Sequence, residues 1–165
     1  MPPPLREAAR HGIAYRAMTD ADLPFVAALY ASTRAEEVAA TGWPDDLRRA
    51  FLAQQHEAQH SHYRKFYPEA ERLIIEREGE AIGRLYLAEW ERELRVVDIA
   101  LVPAARGTGI GCAILRDVQA LATARGKAVS IHVEKNNPAR RLYDRLGFAA
   151  VEDKGVYDLL EWRAA

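Results

Sequence analysis

The chain has 165 residues, a net charge of −1 and 49% hydrophobic residues, which fits one globular domain with a real core. Its single cysteine, Cys112, excludes an internal disulfide framework and a cysteine metal cluster. No apolar run approaches the ~20 residues of a membrane span, and no basic–aromatic array argues for nucleic acid.

Met1-Pro-Pro-Pro-Leu-Arg lacks the apolar centre of a secretory signal. Residues 1–12 are therefore read as a flexible lead-in to a single domain over 13–163. With one free thiol, this points to a reducing, cytoplasmic setting. Ile13 to Met18 reads as the first strand. Thr19 to Asp22 resembles a helix cap, with Asp22 three residues after Thr19. Leu23, Val26, Ala27 and Tyr30 form the apolar stripe of a first helix that ends near Ser32, and Pro24 is tolerated in its first turn.

Residues 33–68 carry less pattern. Pro44 can start a helix, and Leu47, Phe51, Gln54, Gln55 and Ala58 continue one face, so a helix is expected from about 44 to 63. His56 and His60 have the i, i+4 spacing of paired metal ligands. The sequence between them, Glu57-Ala58-Gln59, does not make His-Glu-x-x-His, and no third ligand is indicated. A polar helix edge without metal is the favoured reading.

Arg72 to Arg77 reads as a strand, Glu78-Gly79-Glu80 as a turn, and Ala81 to Ala88 as the hairpin partner. Glu93 to Val102 follows as a third strand. A helix is expected from about Gly109 to Arg125, closed by Gly126. Lys127 to Val133 is a strand, Pro138 to Leu146 a short helix, and 148–151 with 155–162 a closing pair. Long crossovers flank the strand at 128–133, so it should run parallel to the one before it. The expected fold is α/β (mixed α+β): a central mixed, mostly antiparallel sheet with helices on both faces.

Two stretches carry chemistry. The first runs from Asp98 to Arg116: strand, glycine turn (Gly107, Gly109, Gly111), helix. A helix start has N–H groups without internal partners and partial positive charge. Glycines let a phosphate approach them closely. No Gly-Lys-Ser/Thr follows, which rules out a nucleotide P-loop. The dinucleotide fingerprint would need a third small residue where Cys112 or Ile114 stands. Arg106-Gly107-Thr108-Gly109-Ile110-Gly111 instead fits Gln/Arg-x-x-Gly-x-Gly/Ala. The second stretch is Asn137-Pro-Ala-Arg-Arg-Leu-Tyr143-Asp-Arg-Leu-Gly147-Phe148. Between Ala105 and Gly147 eight Lys/Arg stand against three acids, a local charge of +5 that leaves −6 elsewhere. A basic lobe suits a phosphate-rich ligand, and a solvated helix face would give the same count.

Together the two stretches resemble the coenzyme A loop and the later Asn…Leu-Tyr…Gly-Phe segment of the GNAT N-acetyltransferase superfamily. The resemblance covers about residues 93–162. It implies a splayed pair of parallel strands, between which the pantetheine arm of acetyl-CoA lies like an extra strand. The backbone of Ile99, Ala100 and Leu101 would bind the arm and polarise the thioester. Arg106, Gly107, Thr108, Gly109, Ile110 and Gly111 would hold the pyrophosphate. Asn137, or its neighbour Asn136, would contact the cofactor arm, and Tyr143 would protonate the leaving thiolate. The general base is left open between His132 and Asp98, with a water chain or a low-pKa amine as a third route. A charged residue in an apolar strand, as Asp98 is, either faces a cleft or pairs with something. Cys112 is read as packing, since the family transfers directly.

The resemblance also implies that the region after the first strand walls the acceptor site, which makes Arg34, Glu37, Trp43, Gln55, His62 and Tyr63 candidates for substrate contacts. The expected function is acetyl transfer from acetyl-CoA to a primary amine. A small metabolite, an antibiotic and a peptide amine all remain open as the acceptor. The rivals are a non-catalytic GNAT-fold sensor or interaction module that binds CoA, against which Tyr143 speaks, and an NAD-binding protein. Family dimers often use the last strands, and Val156 to Trp162 could supply such a homodimer edge.

Overall fold

The computed structural model describes residues 2–165. Seven strands form one sheet in the order β1-β2-β3-β4-β5-β7-β6. They are β1 (Ile13–Ala17), β2 (Glu71–Arg77), β3 (Glu80–Glu89), β4 (Glu93–Leu101), β5 (Ala128–Glu134), β6 (Ala149–Asp153) and β7 (Tyr157–Trp162). All pairings are antiparallel except β4 with β5. The helices are α1 (Leu23–Thr33), α2 (Ala35–Ala39), α3 (Asp45–Phe66), α4 (Ile110–Ala124) and α5 (Arg140–Arg145).

Local chemistry explains most of the boundaries. Glu78 and Gly79 both take positive φ (54° and 80°), the requirement of a two-residue hairpin turn between β2 and β3. At the cap before α1, the Thr19 N–H donates to Asp22 Oδ2 at 2.8 Å. Asp22 also takes two bonds from Arg16, and these hold its carboxyl down to about 2. Gly126 at φ 66° closes α4 in the left-handed region. Acids (Asp45, Asp46) open α3 and bases (Arg64, Lys65) end it, as its dipole favours. That helix runs three residues beyond its predicted end at Tyr63, and α2 had no counterpart in the sequence reading.

Strand alternation divides the protein into two layers. One sheet face carries Leu73, Ile75, Leu85, Leu87, Leu94, Val96, Val129 and Ile131. It packs on Ile110, Ile114, Val118 and Leu121 of α4 and on Tyr143 and Phe148. The opposite face carries Ile74, Arg84, Tyr86, Arg95 and Ser130, all buried. It lies under α1 and α3, and its polar content is what the site uses.

The N-terminal segment differs from expectation. Residues 6–11 are not a free tail. The N–H groups of Arg6, Glu7 and Ala8 all donate to the Asp117 carboxylate on α4, at 3.2, 2.9 and 2.9 Å. Ala8 is fully buried, and Ala8–His11 forms a 3-10 turn. No helix among the described residues is long and apolar enough to cross a membrane.

Candidate active site

The site begins at a fork. β4 and β5 pair only from Glu93↔Ala128 to Val96↔Ile131. Beyond that point β4 continues to Leu101 and β5 to Glu134 without pairing to each other. A bulge marks the same place: Tyr86 faces Asp98 while Leu87 faces Val96, so Val97 is extra on β4. On its other edge β4 stays bound to β3. The Val102 N–H donates to the Ile82 carbonyl at 2.8 Å. Alternation from that bond turns the backbone of Ala100 toward β3 and the backbone of Ile99 and Leu101 toward the gap. Of the three residues expected to bind an extended ligand, two therefore face it. Gly83 on β3 permits this closeness, since a Cβ there would overlap the Ala100 carbonyl oxygen.

At the open end of β4, Pro103–Ala105 makes a 3-10 turn into the glycine loop. Gly107 and Gly109 take φ of 68° and 87°, and α4 starts at Ile110. Arg106, Gly107, Thr108 and Gly109 are exposed, while Ile110 is fully buried. The Arg106 side chain folds back, giving Nε–H to the Leu101 carbonyl (2.9 Å) and Nη2–H to Ser32 (2.9 Å). The Thr108 hydroxyl donates to the Ala105 carbonyl. The side chains brace the loop, the Arg106 N–H is taken by the Pro103 carbonyl at 3.2 Å, and the backbone N–H groups after it are left for an anion. The fit to acetyl-CoA rests on these features: unpaired β4 backbone, a glycine cradle, and the N-terminus of a fifteen-residue helix.

The second motif closes the other side. Asn137 Oδ1 accepts the Ala139 N–H at 2.8 Å, so it caps the turn into α5 and leaves its amide N–H groups to project. Asn136 is exposed. Tyr143 is 5% exposed, packed edge-on against Phe148. Burial, then the Asp98 charge, pushes its hydroxyl pKa upward, and no hydrogen bond to that hydroxyl is present among the described residues. The phenol is thus held neutral, with its proton uncommitted.

The two candidate bases lie on the α3 face and both have partners. Asp98 is ion-paired with Arg84, whose side chain is 4% exposed, and takes a long 3.5 Å bond from the Tyr63 hydroxyl. Arg84 also donates to Gln59 at 2.7 Å. His132 is the first β5 residue past the fork and is exposed at its edge. Its Nδ1 lies 3.2 Å from Arg95 Nη1. A guanidinium only donates, so this contact requires an unprotonated Nδ1. In neutral His132 the proton then sits on Nε2, and no lone pair is left for abstracting another. Burial, then the Arg95 charge, holds its pKa below the usual imidazole range. Arg95 is itself fixed by Ser130 (2.7 Å) and Tyr67 (3.3 Å).

The acceptor-wall residues divide. Arg34 bonds Glu37 (3.0 Å) and Glu134 at the end of β5 (3.2 Å), and Tyr157 also donates to Glu134 (3.3 Å). This joins the α1–α2 corner to the open fork. Tyr63 reaches Asp98, while burial first and then that charge raise its pKa. His62 packs edge-on or tilted against Tyr63, Phe66 and Tyr67 at the end of α3. Trp43 packs on Phe51, and Gln55 is exposed; neither joins the fork. Four residues at the site went unread in the sequence: Arg84, Arg95, Glu134 and Tyr157. The signal for the first two was there, as charged side chains inside apolar strands. His56 and His60 stack 6.3 Å apart, and among the described residues no group of three ligands could hold a metal ion.

A family model described as the acetyltransferase (GNAT) family matches residues 33–148. No curated protein sequence matches the chain. Among solved structures, the paia N-acetyltransferase from Thermoplasma acidophilum in complex with coenzyme A superposes with a TM-score of 0.68 at 14% identity, covering 92% of this chain and 99% of that one. A GNAT family acetyltransferase from Elizabethkingia anophelis with acetyl-CoA bound gives 0.59 at 17% identity, covering 93% and 99%. At such identities the likeness is one of fold.

Proposed function

This chain belongs to the acetyltransferase (GNAT) family, and from that membership we propose that it moves an acetyl group from acetyl-CoA directly to a primary amine. The observation that carries the reading is the fork: unpaired Ile99 backbone and a free Leu101 N–H beside a glycine cradle, with a tyrosine of uncommitted hydroxyl on the flanking helix. Bound there, acetyl-CoA supplies a thioester whose C–S bond breaks as the amine forms its C–N bond.

The chain's own residues hold, polarise and move protons. Backbone N–H groups from 107 to 111 take the pyrophosphate. The free N–H of Ile99 or Leu101 points at charge that develops on the acetyl oxygen, where a fixed donor is most effective. Asn137 contacts the arm through its free amide. Tyr143 gives its proton to the departing sulfur, which leaves a neutral thiol. Asp98 balances Arg84, and His132 presents an N–H, so neither is assigned as the base. The amine loses its proton to water at the exposed mouth. Arg34, Glu37 and Tyr63 line the acceptor side, and the direct route leaves Cys112 without a covalent role.

The test is a thermal shift of the protein freed of co-purified CoA, with acetyl-CoA and then with a panel of amines. Stabilisation by acetyl-CoA, with thiol release on adding one of the amines, supports the transferase. Stabilisation without thiol release from any amine favours the CoA-binding module. No stabilisation removes the cofactor assignment.

A further inference from the structure

The N-terminal segment is bound along α4 and reaches the glycine loop at His11. Asp117 is 1% exposed on α4, between the apolar Ile114 and Leu121. A lone carboxylate there would be costly, and the three N–H groups of Arg6, Glu7 and Ala8 satisfy it. The chain then crosses α4 through the 3-10 turn Ala8–His11. Gly12, at φ 71°, redirects it into β1, which is fixed to β2 from Ile13↔Arg77. His11 is therefore held between two anchors.

Its ring reaches the glycine loop. The His11 edge formed by Cε1 and Nε2 lies 3.4 and 3.8 Å from the point where a side chain on Gly109 would begin. Gly109 is the residue before α4, at the open N–H end of the helix. No hydrogen bond to the His11 ring is present among the described residues. An imidazole can give an N–H in either tautomer and two when protonated. Beside a cradle of backbone donors, it adds a side-chain donor from a part of the chain 98 positions away in sequence from Gly109.

We propose that His11 is a ligand of the cofactor's 5′-pyrophosphate and that the 6–12 segment, anchored by Asp117, is a built part of the cofactor site. This rests on the acetyl-CoA reading above. Asp117 acts as a positioning residue, since its side-chain hydrogen bonds all go to the strap.

Calorimetry with acetyl-CoA on the full chain and on His11→Ala tests the proposal. Loss of one hydrogen bond to a charged group should weaken acetyl-CoA binding about tenfold. Dephospho-acetyl-CoA, which keeps the pyrophosphate but lacks the 3′-phosphate, should show the same loss. Acetyl-pantetheine, which has no pyrophosphate, should show none. Asp117→Ala should weaken acetyl-CoA to a similar degree, and adding His11→Ala to it should cost little more. If Asp117→Ala fails to fold, the three ligands on His11→Ala decide alone. Affinity for acetyl-CoA within twofold of the parent overturns the proposal. So does an equal loss with acetyl-pantetheine. A loss that vanishes with dephospho-acetyl-CoA overturns the pyrophosphate assignment. A parent protein that binds no acetyl-CoA brings down the underlying reading and this one with it, whereas tight binding by both proteins sinks this one only.

Discussion

Tyr143→Phe separates chemistry from folding more cleanly than any other single change. The side chain is 5% exposed and sits in the core with Phe148, so the phenyl ring of the variant keeps its packing. Only the hydroxyl is lost, and it has no partner among the described residues. The hydroxyl oxygen itself still reaches solvent, so deleting it breaks no protein hydrogen bond and should change stability by less than about 1 kcal/mol. The melting temperature should therefore stay nearly level. The rate should fall. A general acid contributes roughly 10²- to 10⁴-fold, which at about 1.36 kcal/mol per decade is about 2.7–5.4 kcal/mol of transition-state stabilisation. The assay follows thiol release with acetyl-CoA and an accepted amine both saturating, beside calorimetric affinity for acetyl-CoA. A kcat within twofold of the parent would refute the acid role. A fall in rate matched by a fall in melting temperature would refute the claim that the hydroxyl is uncommitted.

Gly109→Glu should abolish acetyl-CoA binding in calorimetry. It forces a side chain into φ 87° against His11 and sets a carboxylate where a pyrophosphate must approach; retained affinity would exclude this loop. Asp98→Asn should destabilise the fold, because it leaves the buried Arg84 cation uncompensated. About 3–5 kcal/mol corresponds to a drop on the order of 10 °C for a chain of this size, and an unchanged melting temperature with lost activity would restore Asp98 as a candidate base. His56, His60 and His132 are each held below the usual imidazole value by burial first, then by Arg84, Arg72 and Arg95 respectively. Their folded pKa values lie under the unfolded value of about 6.5, so the neutral forms support the fold above it and that support is lost as pH falls through the folded values. Melting temperature should decline from pH 7 to pH 5, and less steeply in His132→Ala; parallel curves would show that His132 does not contribute.

What the sequence made legible was local, and what it hid was a matter of partners. The hairpin at Glu78-Gly79, the strand–loop–helix at 98–125 and the cap at Thr19 each carry their chemistry within a few residues, and each appears in the structure close to where it was read. The long α3 gave little periodicity because His56 is its one buried residue; the helix is polar nearly all round and is fixed by tertiary contact rather than by its own pattern. The 1–12 lead-in looked free because its anchor, Asp117, lies more than a hundred positions away, at a site that itself reads only as a charge on an apolar helix.

The general base was left open in the sequence for the same reason. His132 and Asp98 were read from their own ionisation, whereas Arg95 and Arg84 decide what they can do. Here the missing information was partly within reach. Once β3 and β4 are paired as a hairpin, Tyr86 falls opposite Asp98 and Arg84 opposite Ala100, which sets Arg84 diagonally beside Asp98 on one face. Two opposite charges in adjacent apolar strands at that offset are more readily explained by each other than by catalysis. Reading the strands as a pair, rather than each for its own anomaly, would have joined Asp98 to Arg84 before any proton-transfer role was weighed.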